Sequence, residues 1–89
     1  MSIKIEYDIL HDPSRLMERA REEASKEGAR VEGTATSGRV IKGGLFPVEG
    51  EYLVRGRHIT LTITKIPFLL SWNSARSIMM DWLKKNDRP

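Results

Sequence analysis

The sequence predicts an α+β fold: one small soluble domain in which a single antiparallel sheet of four or five strands carries two helices on one face. Residues 2–10 and 57–65 alternate apolar and polar side chains, as half-buried strands do. Residues 13–27 and 72–85 space their apolar side chains three or four apart, as amphipathic helices do. The other strand-like runs lie together between the helices, so the predicted order is β-α-β-β-(β)-β-α, with the second sheet face partly open to water.

The first strand is followed at once by signals for a helix. Asp12 is an N-cap acceptor, and Pro13 takes the first helical position, where its missing N–H costs nothing. Gly28 can adopt the positive φ that ends a helix. The apolar stripe of this helix is narrow and rich in alanine, which suits close packing on a sheet; its members are Leu16, Met17, Ala20 and Ala24.

The middle of the chain, residues 29–50, predicts only a weak hairpin because five glycines interrupt its strand-like runs. Residues 31–35 and 39–42 would form the two strands, with a tight turn at Ser37 and Gly38. Residues 45–48 are expected to be an irregular apolar segment, because Pro47 is disfavoured at a sheet centre.

The last part of the chain predicts a clear hairpin and a second helix. Residues 51–55 and 57–65 are rich in strand-forming side chains, and Pro67 ends the second strand. Ser71 is an N-cap for a helix that runs to Lys85, and residues 86–89 are expected to fray. The predicted buried stripe of this helix contains Trp72, Ala75, Ile78, Met79, Trp82 and Leu83.

Composition favours one domain, residues 1–89, and excludes several classes of function. The chain has no cysteine, so disulfides, cysteine-ligated zinc and thiol catalysis are excluded. It shows neither a secretory signal nor an apolar run of about 20 residues that would span a membrane, and we expect a cytoplasmic location. The net charge is +3, which permits but does not indicate a polyanionic partner.

No motif predicts catalysis, and the expectation is a non-enzymatic protein without catalytic residues, metal or cofactor. His11 and His58 lie far apart in sequence, with no cluster of carboxylates or cysteines at ligand spacing. The glycines near Ser37 match no phosphate-binding motif, and turn formation explains them.

The abundance of apolar residues near the second helix predicts a contact surface. Large apolar residues are many for so small a domain, and Met80 lies off the predicted core stripe. The expected partner is a hydrophobic surface, a hydrophobic ligand or a second copy in a homodimer. The candidate contact residues are Phe46, Leu69, Trp72, Met80 and Trp82.

The alternative is a nucleic-acid-binding module that uses a basic strand and turn surface. Double-stranded-RNA-binding domains have a similar element order, with a helix, three strands and a second helix. Their last helix begins with a cluster of basic residues, whereas the last helix of this chain begins with the uncharged Ser71 to Ser74. A solvated face of mixed charge is the simpler explanation. The candidate residues for this alternative are Arg39, Lys42, Arg55 and Arg57.

One segment carries a family resemblance, namely residues 59–72, ITLTITKIPFLLSW, together with the preceding Gly50-Glu51-Tyr52 and the first helix. With these features the chain resembles a small bacterial family described as polyhydroxyalkanoic acid system proteins. The resemblance implies an accessory protein associated with polyhydroxyalkanoate granules, and it supplies no catalytic residues. The element order is also similar to a pared-down helix-grip domain, in which the first strand would pair with the last.

Overall fold

The computed structural model, which describes residues 2–89, confirms the α+β class. Within these residues the chain forms one open antiparallel sheet of five strands and two helices, and the strands lie in the order β1-β5-β4-β3-β2. The first strand therefore pairs with the last. The elements are β1 (Ile3–Asp8), α1 (Pro13–Lys26), β2 (Arg30–Gly33), β3 (Ser37–Lys42), β4 (Val48–Arg55), β5 (His58–Lys65) and α2 (Trp72–Asn86).

The core lies between one sheet face and the two helices. Side chains alternate along each strand, so Ile5, Leu61 and Tyr52, which follow one another across β1, β5 and β4, point to the same face. Leu16 of α1 and Leu83 of α2 are fully buried in the same cluster. The opposite face carries mostly charged and threonine side chains and remains open, as predicted.

The first hairpin turns earlier than the sequence predicts. Thr34, Thr36 and the intervening residue form the turn, whereas Ser37 and Gly38 belong to β3, so the predicted Ser37-Gly38 turn is wrong. The Thr34 hydroxyl accepts hydrogen bonds from the backbone N–H groups of Thr36 and Ser37, each at 3.2 Å. This local side-chain bonding, with Gly33 at φ +136°, stabilises the turn.

Position 38 in β3 requires a glycine, because an aromatic ring occupies the space where a side chain would lie. Tyr52, its partner on β4, crosses over Gly38, and its hydroxyl donates to the Thr34 carbonyl at 2.5 Å. A Cβ at Gly38 would clash with the backbone carbonyl oxygen of Glu32 on β2 and would lie 2.6 Å from the Tyr52 oxygen, so any larger residue would displace both the β2 backbone and the ring. The pair joins the buried centre of the sheet to its first turn.

The second helix has the predicted cap, and its buried stripe differs from the prediction at two positions. The Ser71 hydroxyl accepts from the Ser74 N–H at 3.0 Å, and Ala75 and Leu83 are buried. Ile78, predicted to be buried, is 56% exposed, whereas Met80, predicted to lie off the stripe, is half-buried against the core. Arg76 shares the Met80 side of α2 and bonds to the Lys4 carbonyl on β1, which turns the Ile78 side away from β1.

Residues 86–89 do not form the frayed tail that the sequence predicts. Asp87 is 7% exposed, and its carboxylate accepts hydrogen bonds from the Tyr7 hydroxyl at 2.5 Å and from the N–H groups of Leu10 and His11 at 2.7 and 3.0 Å. Arg19 of α1 donates to the carbonyls of Asn86, Arg88 and Pro89. The C-terminal segment therefore closes one end of the core.

Candidate ligand-binding groove

An apolar groove of about 390 Å³ lies between the two helices, over the sheet. Its volume falls within the range of roughly 300–1,000 Å³ that is usual for small-molecule sites. Its floor consists of β2 to β5, with Tyr52 and Leu61 at the centre and Val31 and Val40 beside them. Its lining atoms are mainly apolar, and it opens to solvent.

The groove exists because the helices approach each other at one end of the sheet and leave space at the other. Arg19 of α1 binds the carbonyls after α2, so it ties the two helices together where α1 begins and α2 ends. The other end of the sheet carries the β3–β4 loop, residues 43–47, and the β5–α2 loop, residues 66–71; we call it the loop end. The groove reaches this end, where Lys42 and Val48 line it.

Small side chains on α1 keep the groove from being filled. Ala20 and Ala24, which the sequence suggested would pack closely on the sheet, are only half-buried and line the groove wall. Across from them, α2 contributes Met79 and Trp82. The two alanine side chains are too short to reach the side chains of α2 across the groove. A leucine or phenylalanine at either alanine position would fill the space.

The rim of the groove is charged, in contrast to its interior. Glu23 and Glu27 of α1 are exposed on one side, and Lys42 at the end of β3 is half-buried on the floor. A polar group on a bound molecule could therefore meet an ammonium group at the mouth, while its apolar part lies inside.

The structure separates the predicted hydrophobic contact residues into two groups. Trp72, Met80 and Trp82 are half-buried against the core, and Trp82 also lines the groove. Phe46 and Leu69 are exposed, one in each loop of the loop end. The five residues therefore do not form one surface.

The four cations predicted for nucleic-acid binding do not form a patch. Lys42 points to the groove face, whereas Arg39 and Arg55 point to the open face. Arg57 donates to the carbonyls of Leu10 and His11 and so links the β4–β5 turn to the β1–α1 connection.

The open sheet face also has a charge balance that disfavours a polyanion. By strand pairing it carries five cations, Lys4, Arg30, Arg39, Arg55 and Lys65, and five carboxylates, Glu6, Asp8, Glu32, Glu49 and Glu51. A face with as many carboxylates as cations does not attract phosphates as a basic stripe does.

His58 lies at one corner of the open face in an arrangement that the sequence did not predict. Its ring nitrogens lie 2.7 Å from an Asp8 oxygen and 3.5 Å from a Glu6 oxygen, because β1 pairs with β5. The hydrogen bond with Asp8, followed by that with Glu6, raises the pKa of His58. The side chains are exposed, and within residues 2–89 no group of three histidine or acidic side chains is placed to hold a metal ion.

Sequence reasoning missed most of the groove. Its two alanines look like close-packing residues in a helical pattern, and its valines look like ordinary strand residues. The available signal was the mismatch between a narrow alanine stripe and the large apolar residues of the second helix.

No family model, curated protein or solved structure matches this chain. The resemblance to polyhydroxyalkanoic acid system proteins therefore stays a prediction.

Proposed function

We propose that the chain is a non-enzymatic binding protein whose groove between α1 and α2 holds the apolar part of a ligand. The observation that carries this proposal is the apolar groove of about 390 Å³ that remains open above a packed core. A domain of 89 residues has little apolar surface to spare for its own stability, so an uncovered apolar groove points to a binding role.

The shape and chemistry of the groove favour an elongated apolar group with a polar end. The walls present alkyl and aromatic carbon from Ala24, Met79 and Trp82, which offer no hydrogen bonds that would orient a polar body. Lys42 at the mouth could pair with an anionic head, while Glu23 and Glu27 would repel a head placed on the α1 side. A medium-chain carboxylic acid has these properties.

Two other apolar partners belong to the same class of function. The family resemblance suggests a polyhydroxyalkanoate granule, and the homodimer predicted from sequence would place a second copy of the chain over the groove. Sedimentation at increasing protein concentration tests for the homodimer. If the dimer covers the groove, ligand binding should weaken over the concentration range in which the dimer forms.

The groove can be tested with its own tryptophan as the reporter. The chain has two tryptophans, and only Trp82 lines the groove, so a Trp72→Phe background isolates its fluorescence. Titration with dodecanoate should change this fluorescence in a saturable way. A linear response without saturation would contradict the proposal.

A groove-filling substitution supplies the specific control. Ala24→Phe should place its ring in the groove and weaken binding by about tenfold or more, since burial of a few methylene groups would be lost. Ala35→Phe makes the same chemical change in the exposed β2–β3 turn and should leave binding unchanged. Equal binding by both folded variants would refute the assignment of the site.

A further inference from the structure

We infer that the loop end docks on an anionic lipid surface through the tips of the β3–β4 and β5–α2 loops. The two loops leave the same end of the sheet because Lys42 pairs with Val48 and Glu49 pairs with Lys65. Neighbouring strands thus bring together two segments that are separated in sequence by residues 48–65.

Large apolar side chains form the tips of both loops. Leu45 and Phe46 are 92% and 61% exposed, and Phe68 and Leu69 are 95% and 89% exposed. The Leu70 N–H donates to the Pro67 carbonyl at 3.0 Å, so Phe68 and Leu69 occupy the two central positions of a β-turn and protrude from it.

The high exposure of these side chains favours a fluid partner over a shaped protein surface. Protein contact sites hold their central aromatic residues in packed surroundings, whereas Phe68 contacts almost nothing of its own chain. Insertion between lipid chains requires no complementary pocket, only protruding apolar groups at the depth of the headgroups.

The charges at the loop end complement anionic headgroups. Neither loop contains a charged residue, yet a lysine directly precedes each one, Lys42 before the first and Lys65 before the second. Lysines beside inserted apolar residues attract anionic lipids while their alkyl stems lie along the interface. Lys26 and Arg30 at this end lie in ion pairs with Glu23 and Glu32, at 3.7 and 3.4 Å, so the cations that a headgroup can meet are the two lysines beside the loops.

The opposite end of the sheet provides a matched control. Leu10 is 75% exposed there, but it follows the buried Ile9 and precedes the polar His11 and Asp12, so it is an isolated exposed apolar side chain. A substitution at Leu10 therefore removes a similar exposed side chain without affecting the proposed surface.

The experiment measures co-sedimentation with vesicles of phosphatidylcholine, with and without phosphatidylserine. The wild-type protein should bind the mixed vesicles more strongly than the uncharged ones, and added salt should weaken the difference. Leu69→Gln and Phe68→Gln should each lower the partition by about tenfold or more, whereas Leu10→Gln should not change it. Circular dichroism of each variant confirms that the fold is retained, which exposed positions should allow.

Several results would overturn the inference. These are equal partition of Leu69→Gln and wild type, no preference for phosphatidylserine, or binding to polyhydroxyalkanoate particles without binding to either vesicle. The groove-filling Ala24→Phe variant should keep its vesicle binding, so failure of this inference and failure of the proposed ligand site are distinguishable.

Discussion

The side-chain carboxylate of Asp87 gives the sharpest prediction about stability. Asp87→Ala removes the acceptor of three hydrogen bonds, from Tyr7, Leu10 and His11. A hydrogen bond to a charged group contributes about 1.5–3 kcal/mol when it is buried, but water can replace the acceptor for the exposed Leu10 and His11. We therefore expect a loss of about 2–4 kcal/mol in the free energy of unfolding, a large fraction of the total for a small domain.

Urea unfolding, followed by tryptophan fluorescence, measures this loss. The slope of the unfolding free energy against urea concentration should be the same in the variant and the wild type. Tyr7→Phe should cost about 1–1.5 kcal/mol, and the double variant should cost less than the sum, because the two side chains share one bond. Asp81→Ala, on the exposed surface of α2, is the matched control and should be nearly neutral. Equal stability of the Asp87→Ala and Asp81→Ala variants would refute the reasoning and restore the frayed tail.

The same cluster predicts how stability changes with pH. Burial alone would raise the pKa of Asp87, but the bonds from Tyr7, Leu10 and His11 outweigh it and hold the pKa below its usual value of 3.8. This contribution is present above pH 3.8 and is lost as the pH falls through the folded pKa. Burial, followed by the bond to Asp87, raises the pKa of Tyr7 to about 12, so a second loss is expected between pH 10 and 12.

Two further predictions concern the sheet. Gly38→Ala should destabilise the fold by about 1–3 kcal/mol because its Cβ would meet the Glu32 carbonyl and the Tyr52 ring. Gly43→Ala, with open space around it, should be neutral or slightly stabilising in thermal unfolding. His58, whose pKa the Asp8 hydrogen bond raises, should stabilise the fold at pH values below 6.5 and lose that contribution as the pH rises through its folded pKa. His58→Gln should remove this pH dependence, and its persistence in the variant would show that another group causes it.

The candidate site was much harder to predict than the fold. The loop residues Phe46 and Leu69 were recognisable as contact candidates because the sequence has more large apolar residues than so small a core is expected to need. The groove was not recognisable, because its wall at Ala24 and its floor at Val40 come from segments that satisfy ordinary patterns on their own. The contrast between the alanine stripe of α1 and the large side chains of α2 is only an indirect signal, since the size of the space depends on how far apart the two helices lie.

Local patterns determined which segments become strands or helices. The strands β1 and β5 and the antiparallel class follow from an apolar period of two residues, and the helices follow from a period of 3.6 residues. The helix starts follow from the Asp12 and Ser71 caps. All these signals act over a few neighbouring positions. Tertiary structure alone decided the contacts between distant segments. It brought Asp87 within hydrogen-bonding distance of Tyr7, and it brought the apolar loops to one end of the sheet. Local patterns cannot specify these contacts, because strand order and helix separation depend on the packing of the whole chain.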